Sequence, residues 1–188
     1  QNRRGAGLAG ARIQPLILFS VSMNTLHLIY GPQGAGKSTR AGELARIHRA
    51  LPLAIDDWMG PLFGPDLPRP MDLAWVMARV QRCESRIWLT AEAALRAGCA
   101  VVLDLGFMKR AQREAAAARA SAAGLAVQWH FVDAPLALRR ERVARRNTQR
   151  GATFAFEVTP AMFDFMESQY EPPSAEERAR AIVLESAS

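Results

Sequence analysis

The segment Gly31-Pro32-Gln33-Gly34-Ala35-Gly36-Lys37-Ser38 constrains this chain more than any other, because a strand feeds it and a helix leaves it. Thr25–Tyr30 reads as a short buried strand, and Ser38–Ile47 as a helix with Ala41, Leu44, Ala45 and His48 on one face. Glycines at these spacings let the backbone wrap tightly around an anion, so that successive N–H groups and the positive end of the helix face negative charge. The pattern G-x-x-x-x-G-K-[ST] in this setting is a nucleoside triphosphate cradle. Gly31, Gly34, Ala35, Gly36, Lys37, Ser38 and Thr39 are its expected contacts, with Lys37 reaching the β- and γ-phosphates and the Ser38 hydroxyl ligating Mg2+.

A glycine-rich turn with an incidental Lys and Ser is the plainer alternative. It leaves Lys37 without a task, in a chain whose only other lysine is Lys109 and whose remaining basic residues are arginines.

The order of elements extends the pattern. Leu51–Ile55 reads as a second strand that delivers Asp56 and Asp57 at its carboxyl end, followed by an irregular, breaker-rich stretch over 60–70. Asp72 is placed to cap a long helix ending at Gly98, and Ala100–Leu103 is a third, wholly apolar strand that delivers Asp104. A helix over 108–123, a strand over 125–132, helices over 135–150 and 160–170 and a strand over 181–184 complete the chain. Such alternation predicts an α/β P-loop NTPase three-layer sandwich with a mainly parallel five-stranded sheet and a small helical lid, its ligands at the carboxyl ends of the strands.

Length favours one domain, expected over 23–188. Residues 1–22 are expected to be a tail outside the fold; their apolar run is short for a secretory signal and is followed by Met23 without a cleavage-type sequence. No apolar run reaches the roughly 20 residues of a bilayer span. Cys83 and Cys99 lack metal-ligand spacing and read as free thiols of a cytoplasmic protein. The net charge of +6 includes three arginines before residue 24, so the basic character of the remainder is local, concentrated over 139–150.

Three strand ends therefore converge on phosphoryl chemistry, which needs a phosphate cradle, a metal ligand, a base and positive charge over the migrating group. Asp104 is the candidate carboxylate for Mg2+, with a helix cap as its alternative role. Asp56 is the candidate base and Asp57 its support, since neighbours on an extended backbone point to opposite sides; a solvated turn is the alternative. Arg139, Arg142, Arg146 and Arg150 share a helical face. Four unpaired guanidiniums on one face repel one another unless a polyanion lies against them, so Arg142, Arg146 and Arg150 are read as a lid over the triphosphate. The alternative is a solvated basic helix.

Gly31–Ser38, Ile55-Asp56-Asp57, Val101–Asp104 and Arg145-Arg146-Asn147-Thr148-Gln149-Arg150-Gly151 together resemble the P-loop kinases related to polynucleotide 5′-hydroxyl kinase, zeta toxins and chloramphenicol phosphotransferase. The resemblance spans roughly residues 24–171. It implies that the first acid of the pair, Asp56, is the catalytic base and that Arg146 and Arg150 contact phosphates. Polynucleotide kinases place an aromatic residue and then an arginine after the acid pair, whereas this chain has Trp58 and Met59. With Leu62, Phe63 and Trp75, these suggest an apolar acceptor pocket, core packing being the alternative.

The expected function is ATP-dependent transfer of the γ-phosphoryl group to a hydroxyl of a small molecule, with ATP and Mg2+ as cofactors and no membrane partner. A polynucleotide 5′-hydroxyl kinase and a non-catalytic ATP-binding regulatory module are the alternatives. The chain has no Asn-Lys-x-Asp guanine signature and no Leu-Ser-Gly-Gly signature, and Asp104-Leu105-Gly106-Phe107 only loosely echoes the nucleoside monophosphate kinases.

Overall fold

β1 (Thr25–Tyr30) is the centre of the molecule, and in the computed structural model, which describes residues 25–149 and 157–185, all but its first residue are buried. It feeds α1 (Lys37–His48) through the glycine loop. The chain continues through β2 (Leu51–Ala54), α2 (Ile55–Phe63), α3 (Leu73–Arg96), β3 (Val101–Asp104), α4 (Arg110–Ala122), β4 (Ala126–Asp133), α5 (Leu136–Gln149), α6 (Pro160–Gln169), α7 (Ala175–Ala179) and β5 (Ala181–Glu185). The strand order is β2-β3-β1-β4-β5, and every pairing is parallel. The sheet is thus wholly parallel where a mainly parallel one was expected.

Alternation along the strands separates two cores. Leu26, Leu28, Tyr30, Val101, Leu103 and Phe131 pack with Ile87, Ala91 and Leu95 of α3 and Ala116 and Ala120 of α4. Ile29, Val102 and Val132 point the other way, against Ala41 and Leu44 of α1. This is an α/β P-loop NTPase sandwich of three layers.

Two sequence expectations change. β2 delivers Asp56 and Asp57 just past its carboxyl end, but on a helical and not an extended backbone: they occupy the first turn of α2, where acids are favoured by the positive helix end. The breaker-rich stretch is helical through Phe63 despite Pro61, and Gly64 closes the helix by donating to the Gly60 carbonyl at 2.9 Å. α3 is as expected: Asp72 Oδ1 accepts from the Trp75 N–H at 3.1 Å, and Gly98 follows its end at φ 87°. α7 was not foreseen, being five residues long, and its Ser174/Glu177 capping box is its sequence signal.

Arg113 ties this last segment down. Buried on α4, it donates to Glu177 Oε1 at 2.6 Å and to the Glu171 carbonyl at 3.1 Å. Cys83 is buried, Cys99 partly so, and both thiols are free. No helix among the described residues is long and apolar enough to cross a membrane. The expected tail over 1–22 lies outside the described residues.

Candidate functional site

The glycine loop is held from both sides. A Cβ on Gly31 would stand 2.0 Å from the Val132 carbonyl oxygen, and one on Gly34 2.6 Å from that of Arg139. With φ of 149° and 79°, neither position suits another residue, so β4 and α5 fix the loop by backbone contact. Gly36, at φ 103°, turns the chain into α1. Ala35 is buried beneath, whereas Ser38 and Thr39 are exposed.

Lys37 arches back over the loop, its Nζ donating to the Pro32 carbonyl at 2.9 Å. Burial pulls its pKa down, while the charges of Asp104 and Asp56 favour the ammonium form. Ser38 Oγ donates to Asp104 Oδ2 at 2.9 Å, joining the loop to the end of β3. Asp104 is only 6% exposed. Burial raises its pKa, opposed by Lys37 and by the Ser38 hydrogen bond. It is no helix cap, since Lys109 is the cap residue of α4. A hydroxyl and a carboxylate side by side are the hard oxygen donors that suit Mg2+, which usually takes one or two protein ligands and completes its shell with phosphate and water oxygens. Among the described residues, no cluster of three or more His, Cys, Asp or Glu side chains is arranged to hold a metal.

Asp56 comes to the same place from α2. It keeps one side open to water, yet the protein around it and then the Asp104 charge push its pKa up, while Arg146 and Lys37 pull it down. Solvent on the open side limits the size of the shift. Because the pair is helical, Asp57 is turned about 100° from Asp56, not to the opposite side.

The arginine face of α5 is not four unpaired charges. Arg139 is buried and forms a forked pair with Glu167 of α6 at 2.5 and 2.7 Å, while also donating to the Ala134 and Gln33 carbonyls at 3.0 and 3.3 Å. It is therefore a structural bolt between α5, α6 and the loop. Arg142 Nη1 reaches the Ala35 carbonyl at 3.3 Å. Arg146 is half-buried, with its Nε enclosed and unbonded. Asn147 locks the end of α5 by exchanging hydrogen bonds with the Val158 backbone at 2.7 and 3.1 Å. Arg150 lies outside the described residues.

Around α2 the outcome is mixed. Trp58, Met59 and Phe63 are partly buried and pack against the main core, as the core-packing alternative has it, whereas Leu62 is 55% exposed. A cavity of about 160 Å³ does exist, but between Tyr30, Trp129, α4 and α7, away from the phosphate loop. Sequence reasoning missed Arg139–Glu167, whose partners stand 28 residues apart, and the Arg113 anchor.

The AAA domain family model (AAA_33) matches residues 26–173, from β1 to just before α7. The chain belongs to that family. This member of the AAA domain family also shares its fold with solved kinases. A protein from Chloroflexus aurantiacus designated a candidate kinase aligns with a TM-score of 0.69 at 18% identity, over 87% of this chain and 88% of that one. A gluconokinase from Sinorhizobium meliloti gives 0.52 at 18%, over 88% and 85%. The Mycobacterium tuberculosis APS kinase CysC, solved with AMPPNP and APS, gives 0.54 at 19%, over 80% and 83%. No curated protein matches the chain.

Proposed function

We propose that this chain is an ATP-dependent kinase that transfers the γ-phosphoryl group to a hydroxyl of a small-molecule acceptor. The observation that carries the reading is the meeting of Lys37, the Ser38–Asp104 pair and Asp56 at the carboxyl ends of three adjacent parallel strands. The nucleotide-bound APS kinase and the gluconokinase among the structural relatives are in keeping with it.

In this reading the loop amides and Lys37 grip the β- and γ-phosphates, and Ser38 and Asp104 hold Mg2+, which when bound neutralises phosphate charge. Asp56 accepts the proton of the acceptor hydroxyl. The acceptor oxygen bonds to the γ-phosphorus as the bond to the β–γ bridging oxygen breaks, and ADP leaves. Arg142 and Arg146, with Arg150 beyond them, supply positive charge over the migrating group and exclude water. Residues 23–188 act as one domain, and the protein works in the cytoplasm.

The test is turnover of γ-labelled ATP with Mg2+ against hydroxyl acceptors that include sugars, nucleosides, antibiotics and 5′-hydroxyl oligonucleotides, with Lys37→Ala as control. Label on a small molecule, lost in the control, supports the proposal; label on oligonucleotides alone favours a polynucleotide kinase. ATP binding without any transfer would leave a regulatory module.

A further inference from the structure

Asp56, Gly60 and Phe63 fall at i, i+4 and i+7 of α2 and so share one stripe of the helix. Phe63 lies about 10 Å from Asp56 along the axis. Between them the backbone is bare: nothing stands within 4 Å of where a Cβ on Gly60 would be. The stripe is thus a shallow trough that starts at the candidate base and ends at an aromatic ring.

A cation waits at that far end. Trp75 of α3 meets Phe63 edge-on, with ring centroids 6.3 Å apart and planes at 90°. The Arg79 guanidinium lies 3.5 Å over the Trp75 ring and 5.9 Å from the Phe63 centroid. Its Nη1 donates to the Trp75 carbonyl at 3.0 Å. The Trp75 ring and this hydrogen bond hold the guanidinium in place, and among the described residues its Nε and Nη2 have no hydrogen-bond partner. The two buried arginines, Arg113 and Arg139, are neutralised by Glu177 and Glu167. Arg79 forms no ion pair among the described residues. A partly desolvated, oriented fork of donors is suited to a carboxylate or phosphate, which it can bind through two parallel hydrogen bonds.

We propose that Arg79, stacked on Trp75 beside Phe63, selects acceptors that carry an anionic group about two helical turns from the hydroxyl phosphorylated at Asp56. The acceptor is then a hydroxy acid or a phosphorylated alcohol, not a neutral alcohol. This rests on the kinase reading above, and it assigns to Arg79 a contact with substrate that binds and does not react.

The test compares matched acceptors, namely sugar alcohols, the corresponding aldonic acids and the corresponding sugar phosphates, in wild type, Arg79→Gln and Arg79→Lys. We expect transfer to one anionic class, with Arg79→Gln raising its KM about tenfold to a hundredfold while kcat and the KM for ATP hold. Arg79→Lys should restore part of the loss, and unchanged thermal unfolding of both variants would show that the fold is intact. The aldonic acid and phosphate arms tell the two anions apart. Transfer to neutral alcohols with equal or better kcat/KM, or an Arg79→Gln variant whose KM is unmoved, overturns the assignment and leaves the kinase reading standing. No transfer to any acceptor removes the kinase reading, and this inference with it.

Discussion

Asp56 and Asp104 carry the same chemical group in unlike surroundings, and the difference sorts their proposed tasks. Asp104 is buried and tied to the Ser38 hydroxyl, which suits a metal ligand; Asp56 opens to water, where an acceptor can arrive. Asp56→Asn should lower transfer by about 10²- to 10⁴-fold with nucleotide affinity unchanged, whereas Asp57→Asn should have a small effect; single-turnover assays with an ATP-binding titration decide this. A base works deprotonated, and burial beside Asp104 raises the Asp56 pKa, so kcat should fall with pH at a higher pH than an unperturbed aspartate would set. Arg146 pulls that pKa down, so Arg146→Gln should move the acid limb of the kcat profile to higher pH. An unmoved limb would remove Asp56, or its coupling to Arg146, from the account.

At the scale of elements, α5 does two jobs that its sequence does not separate. Arg139 and Arg142 look alike in a run of arginines, yet one is bolted to Glu167 and the other reaches the loop. Glu167→Gln leaves a buried guanidinium without the carboxylate it is paired to, and should cost about 2 kcal/mol in denaturant unfolding, discounted because Glu167 is 29% exposed. Hydrogen exchange over 139–149 should slow when a magnesium–nucleotide complex is added, if Arg142 and Arg146 close on phosphates; equal exchange would retire the lid. The strand–loop–helix unit was legible because each local signal agreed with its neighbours: apolar run, glycine spacing, amphipathic helix. α2 was not, because Gly60, Pro61 and Gly64 read as breakers, while the favourable setting of Asp56 and Asp57 in its first turn becomes visible only once the helix is known. The trough ending at Arg79 was hidden for the same reason, since its stripe exists only on a helix.

The whole molecule depends on pH through a part far from any phosphate chemistry. All three histidines of the chain gather where β1, β4 and α1 meet. His27 Nδ1 and His130 Nε2 share a hydrogen bond of 3.0 Å, and His48 stacks on His27 with centroids 4.3 Å apart. Burial lowers the pKa of His27 and of His130 from 6.5 to about 4, helped by the neighbouring imidazoles and, for His130, by Arg40. Above pH 6.5 both are neutral folded or unfolded, so stability is flat there; between 6.5 and 4 the unfolded chain takes up protons that the folded one refuses, and stability falls as pH falls. One such histidine accounts for roughly 3 kcal/mol across that window. Urea unfolding at pH 7.5 and 4.5 measures the loss, and His130→Leu should shrink the difference between the two.

That gathering also gives the chain a spectroscopic gauge. With every imidazole in one cluster, ring resonances report a single place in the molecule and need no attached label. His48 closes α1, whose first turn holds Lys37 and Ser38 about 16 Å away along its axis. A nucleotide that tightens the first turn and moves the helix as a rigid rod would be heard, at its distant end, as a shift of the His48 signal.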